Sequence, residues 1–164
     1  KLVTTIACCE HEKGHLIIAG SKDCRISVWR FDQKHQKLQD AAKPKRIIYG
    51  HHSEVTCLAV ESSLEIVVSA DKEGVVIIHC MVSEKILYTL YPKLDLDEEI
   101  KTILIDENGL IAIVTVVYDL RNHNRVLVYS INGEYLGDHK IDTHSIRHVT
   151  FLEKAKSTLL MSTK

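Results

Sequence analysis

Apolar positions along this chain fall in short runs separated by polar turns, and the runs repeat. A set of three apolar positions occurs four times, as Val3, Ile6 and Cys8; Val55, Leu58 and Val60; Ile100, Ile103 and Ile105; and Ile146, Val149 and Phe151, at intervals of 52, 45 and 46 residues. Each set leads through a polar turn into a second run: HLIIAG at 15–20, EIVVSA at 65–70, LIAIVTVV at 110–117 and TLLMS at 158–162. Runs this short and this rich in Ile, Val and Leu predict strands. Lys13-Gly14 and Asn108-Gly109 separate the two strands of the first and third units and supply the positive φ that a tight reversal needs.

A third strand follows in three units and ends at Trp29, His79 and Tyr129, positions 50 residues apart. A fourth is predicted at RIIYG (46–50), KILYTL (85–90) and EYLGD (134–138), the last after the hairpin signal Asn132-Gly133. The prediction is an all-β chain of four-stranded units, roughly 1–50, 51–92 and 98–138, with an incomplete unit at 144–164. No stretch of 11 or more residues keeps a clear helical spacing. An immunoglobulin-like sandwich also consists of many short strands, but it does not require repeating units.

Composition narrows the class. The 164 residues are 45% hydrophobic and 26% charged, an ordinary globular balance. With 21 basic against 22 acidic residues, no net field draws the chain to nucleic acid or an anionic membrane, and no nucleic-acid role is expected. No apolar run reaches the roughly 18 residues of a membrane-spanning helix, and Lys1 opens a strand-like segment rather than a signal peptide. The chain is expected to be cytoplasmic and a fragment. Cys8, Cys9, Cys24, Cys57 and Cys80 form an odd set without framework spacing, as reduced thiols would. Metal binding by Cys8, Cys9 and His11, or by His79 and Cys80, is disfavoured because neighbours on one strand point to opposite faces. No metal and no cofactor are expected.

AGSKDCRISVW, from Ala19 to Trp29, resembles the second half of a WD repeat. That resemblance implies structural roles: Asp23 hydrogen-bonds within its blade, and Trp29 packs between blades. Gly50-His51 resembles the family's Gly-His pair, and the second unit runs on to SADKEGVVIIHC with Glu73 at the Asp position and His79 at the Trp position. Ser69 and His51 remain available for the internal polar network. Because buried polar groups without partners are costly, Glu73 and His79 are expected to be hydrogen-bonded or near solvent. The third unit has Tyr129 at the Trp position, no Gly-His, and an inserted polar loop DLRNHN at 119–124; the fourth stops after its second strand. The implied fold is a partial WD-repeat β-propeller of about three and a half four-stranded blades. Such a fragment leaves open sheet edges and is expected to self-associate when isolated.

The order of these features, a near-consensus repeat, a long polar linker, a GH..EVTC..V repeat ending in IIH, then YSINGEYLGD, resembles the C-terminal propeller of BEACH-domain proteins of the neurobeachin-like group. The resemblance implies a non-catalytic protein–protein scaffold in vesicle trafficking or membrane-linked signalling, cytoplasmic, with peripheral membrane association through the full-length protein and no direct insertion. The alternative is a WD-repeat adaptor of another complex, such as a ubiquitin-ligase substrate receptor or a coat subunit. An enzyme whose catalytic domain lies elsewhere is the third class.

Other segments suggest chemistry less strongly. The linker DQKHQKLQDAAKPKR (32–46), with Lys34, Lys37, Lys43, Lys45 and Arg46, is expected to be a solvated loop rather than a partner-binding arm, and it lacks the aromatics of a nucleic-acid groove. KLDLDEE (93–99) lacks the Gly and spacing of a calcium loop and is expected to be a surface turn. His11, His15, His35, His144 and His148 are expected to be solvated. No nucleophile elbow, phosphate-cradling Gly-rich loop or HExxH motif occurs. If one end of the propeller binds a partner, the resemblance places Lys22 and Lys72 there, where they would meet an acidic group.

Overall fold

The computed structural model describes residues 2–11, 14–32, 34–38, 40, 43–117, 124–141, 146–151 and 159–163. Lys13, most of the loop at 119–124, His144 and the turn that opens TLLMS lie outside the described residues, as does the side chain of His11.

Every described regular element is a strand, and the strands pair with their sequence neighbours in antiparallel sheets. Sheet 1 contains β1 (Val3–His11), β2 (Gly14–Ser21), β3 (Ile26–Asp32), β4 (Lys37–Leu38) and β5 (Arg46–Ile48). Sheet 2 is β6 (Val55–Glu61), β7 (Ile66–Asp71), β8 (Val76–Cys80) and β9 (Ile86–Leu90). Sheet 3 is β10 (Glu98–Ile105), β11 (Leu110–Val117), β12 (Asn124–Ser130) and β13 (Tyr135–Ile141), and β14 (Ile146–Phe151) pairs with β15 (Leu159–Thr163) in sheet 4.

The repeated apolar set has a structural cause. In the first strand of every sheet the pairing register shifts near its start, between Val3 and Thr5, Val55 and Cys57, Ile100 and Thr102, and Ile146 and His148. One extra residue at each shift interrupts the two-residue alternation. Side chains spaced by three and then two residues consequently share a face. Val55, Leu58 and Val60 pack toward sheet 1, and Ile100, Ile103 and Ile105 pack toward sheet 2.

Sheets stack face to face over three cores. One joins Leu16, Ile18, Ile26 and Val28 of sheet 1 to Val55, Val67 and Met81. A second joins Val68, Ala70, Val76 and Ile78 to Ile103, Ile111, Ile113 and Leu127 of sheet 3. The third places Ile146, Val149 and Phe151 on Ala112, Val114 and Val126. Each fully buried Ile or Val contributes about 1.5–3 kcal/mol relative to exposure. β7 lies between two of these cores and is buried at all six positions. Contacts between sheets run mainly through the first strands, β1 to β6, β6 to β10 and β10 to β14. The Thr4 hydroxyl donates to the Val55 carbonyl, and the Cys57 thiol points at the Lys101 carbonyl at 3.4 Å.

Two strand ends differ from the sequence expectation. β3 runs past Trp29 to Asp32 because Phe31 and Asp32 pair with Leu38 and Lys37 of β4. Thus the linker after β3 begins with a short hairpin before it reaches β5. β10 starts at Glu98, inside the acidic segment expected to be a surface turn. On sheet 1 the face turned away from sheet 2 carries Ile6, 62% exposed, and Val3, 46% exposed.

Candidate functional site

The connection between sheets 1 and 2 reaches β6 through Gly50 and His51. Gly50 has φ +151°, and a Cβ there would lie 2.9 Å from Ile86 Cδ1, so the close approach of this segment to β8 and β9 requires glycine. Behind it His51 is buried and bridges two side chains. Its Nδ1 lies 3.0 Å from Asp71 Oδ2 and its Nε2 lies 2.7 Å from Ser69 Oγ. The carboxylate accepts from Nδ1–H, which leaves Nε2 to accept from the Ser69 hydroxyl. Asp71 Oδ1 also accepts from the backbone N–H groups of Glu73 and Val75, both at 3.0 Å, and so fixes the β7–β8 turn. Burial pushes the His51 pKa down despite the Asp71 hydrogen bond and charge, so the ring is neutral at physiological pH.

Ser69, His51 and Asp71 follow the hydrogen-bond order of a hydrolytic triad. Ser69 is wholly buried, however, and a substrate carbonyl reaches its hydroxyl only if the sheet opens. The chemistry supported here is structural: one imidazole ties a connection, a strand and a turn together. Glu73, at the Asp position by resemblance, is exposed at the turn; Asp71, two residues earlier, holds the histidine.

His79 departs from the expectation that it be hydrogen-bonded or near solvent. It is fully buried, neither ring nitrogen has a hydrogen-bond partner, and its ring centroid lies 6.3 Å from that of His51. Burial, with a smaller contribution from His51, pushes its pKa down to about 4. Its unpaired ring nitrogens are buried at a cost.

Sheet 3 fills the corresponding position with different groups. Thr115 pairs with Arg125 across the sheet as Ser69 pairs with Ile77. The Thr115 hydroxyl donates to Glu98 Oε1, and Glu98 Oε2 accepts from the backbone N–H of Asp95 at 2.9 Å. Arg125 Nε lies 3.3 Å from Glu98 Oε1, and its Nη2 donates to the Lys93 carbonyl at 3.1 Å. Glu98 is therefore a buried anchor. Within an acidic run it is indistinguishable in sequence from its solvated neighbours, and its cation lies 27 residues away on β12.

In sheet 1 Asp23 accepts from the Ser21 hydroxyl and pairs with Arg25 at 2.9 Å, so it braces the β2–β3 turn. Trp29, paired with Ile17, lies on the face turned away from sheet 2, and it also lines a cavity with linker residues. Lys22 and Lys72 occupy matching turns at one end of the sheets. Their backbone N–H groups donate to the Leu2 and Glu54 carbonyls at 3.1 and 2.9 Å, and both side chains are exposed. Lys22 Nζ lies 3.9 Å from Glu54 Oε2. Lys72 borders a cavity of about 330 Å³ lined also by Glu73, Leu94, Asp95 and Glu99, so its surroundings are acidic. Among the described residues no group of three or more His, Cys, Asp or Glu is placed to hold a metal ion.

Antiparallel sheets of sequential strands, stacked face to face, with a buried His–Ser–Asp bridge fixing the connection into the second, define an open part of a β-propeller. Comparison with known proteins supports that class: the family model described as WD domain, G-beta repeat, matches residues 3–30 and 42–79. The crystal structure of the WD40 β-propeller domain of Doa1 is similar in fold, with a TM-score of 0.68 at 18% identity, over 98% of this chain and 47% of that one. The chain is 33% identical over 66 residues to BEACH domain-containing protein lvsD of Dictyostelium discoideum, covering 40% of this chain and 2% of the relative. It is 25% identical over 75 residues to a putative neurobeachin homolog of Caenorhabditis briggsae, covering 42% of this chain and 3% of that protein. Residues 3–30 and 42–79 are thus similar to WD repeats, and part of the chain is similar to BEACH domain-containing proteins, of whose length it spans only 2–3%. WD propellers are in general interaction modules rather than enzymes.

Proposed function

We propose that this chain is a non-catalytic protein-interaction scaffold within a large BEACH-type protein, working in vesicle trafficking or membrane-linked signalling from the cytoplasmic side. Membrane association would come through the rest of that protein, without direct insertion by these sheets. The supporting observation is the division of the polar groups: His51, Ser69, Asp71 and Glu98 are turned inward as braces, while Lys22 and Lys72 project from matching turns at one end. Rigid sheets that present charged loops at a shared end suit recognition of another protein.

The test is comparative. Full-length protein carrying Lys22→Glu and Lys72→Glu is expected to lose a stoichiometric partner that the wild type retains in quantitative affinity purification, while a Lys85→Glu control at the opposite end retains it. Identical partner sets for all three proteins would overturn the assignment of that end, and loss of endomembrane co-sedimentation with partner binding intact would separate the trafficking role from the scaffold role.

A further inference from the structure

An outermost strand leaves every second backbone N–H and C=O turned away from its sheet, and folded chains shield such edges with charge or by keeping the strand short. Two sheets of this chain follow that rule. The outer edge of sheet 1 is divided between β4 and β5, of two and three residues, which carry Lys37 and Arg46. β13 of sheet 3 carries Asp138, His139 and Lys140, all exposed. β9 of sheet 2 has neither protection. From Ile86 to Leu90 it holds no charged residue, its first four positions are exposed, and Ile86, Leu87 and Tyr88 each keep 43–47% of their surface in solvent. Among the described residues it pairs with β8 alone.

Both faces of a strand added here would lie beside apolar groups. Ile86 reaches toward Gly50, where a Cβ would lie 2.9 Å from its Cδ1. Tyr88 and Leu90 reach the other way, toward Gly133 in the β12–β13 turn, where a Cβ would lie 3.3 Å from Tyr88 Cδ1 and 3.2 Å from Leu90 Cδ2. The register shift between Ile78 and His79 makes Leu87 the extra residue, so regular pairing runs along Tyr88–Leu90, with exposed Leu87 and Tyr91 flanking it. A strand of five residues extends roughly 17 Å, too little edge for the about 800 Å² that each partner of a stable dimer buries, so a linear segment fits it and a folded second copy does not. We propose that β9 is a strand-addition site, at which an extended, uncharged segment of a partner protein, rich in β-branched or aromatic residues, pairs antiparallel with Tyr88–Leu90 and widens sheet 2 by one strand. The pairing groups are backbone atoms, so this site does not depend on the role given to Lys22 and Lys72.

Hydrogen–deuterium exchange of the full-length protein reads the edge amides directly. A peptide of alternating Thr and Val is expected to slow exchange across Ile86–Leu90. The same peptide N-methylated throughout, which keeps the side chains and removes the backbone donors, is expected to leave that exchange unchanged. Tyr88→Lys places a charge at the edge and should weaken binding of the unmodified peptide about tenfold with an unchanged far-ultraviolet spectrum. No protection by the unmodified peptide, equal protection by the methylated one, or equal affinity in the Tyr88→Lys variant would overturn the site. Slowing that grows with protein concentration in the absence of peptide would make a second copy the occupant and overturn the linear-segment assignment.

Discussion

His79 couples the stability of sheet 2 to pH. Above the ordinary histidine pKa of 6.5 the ring is neutral in both folded and unfolded chains, and protonation costs nothing. As the pH falls, the unfolded chain takes up a proton near 6.5 while the folded ring resists until about 4. Stability is thus fully present above pH 6.5, declines through this window and levels off below its lower limit. At 1.36 kcal/mol per pKa unit, the loss between pH 7.5 and pH 4.5 is roughly 2 to 3 kcal/mol, a large fraction of a domain's total. Urea unfolding followed by Trp29 emission and far-ultraviolet circular dichroism at a series of pH values measures it. His79→Phe keeps a ring in the space between the sheets and removes both unpaired nitrogens, so it should flatten most of the dependence. A smaller slope should remain from His51, whose pKa is also lowered. If the Phe variant loses stability with pH as steeply as the wild type, the buried unpaired ring is not the cause.

Two other substitutions test the braces and the close approach. Arg125→Met removes the cation beside buried Glu98 and should cost about 3–5 kcal/mol in urea unfolding, with Glu98→Gln in the same chain recovering most of it; equal losses in the single and double variants would contradict the coupling. Gly50→Ala should cost about 1–3 kcal/mol in the same assay, because φ +151° strains any side chain there whatever the space, and Ile86→Val, which removes only a flexible side-chain tip, should return little of it.

Much of the fold was legible because the strands announce themselves through β-branched runs and Gly turns, and each sheet uses them in the same order. The polar positions were less legible for reasons that differ by residue. Counting back from the Trp position assumes that the turn carboxylate keeps its place, but the His51 partner is Asp71, on the last residue of β7 rather than in the turn. Glu98 acts through Thr115 and Arg125, which only strand pairing brings together. The rule that buried polar atoms find partners fails at His79, whose two ring nitrogens are buried on a strand face between sheets with no partner in reach. The gap beside Trp29 depends on β4, whose two residues, Lys37 and Leu38, are too few to show a pattern.

Contact between sheets passes from each first strand to the next, so a change in one sheet is felt by its neighbours and hardly beyond. For the lineage this has a consequence: each repeat can drift under its own constraints, provided that its faces still fit the adjoining sheets. Ser69 with His51 and Asp71, and Thr115 with Glu98 and Arg125, are two different polar solutions at corresponding positions of neighbouring sheets. Divergence of the recognisable motif is therefore what this architecture permits, while the register shift near the start of every first strand recurs in all four sheets.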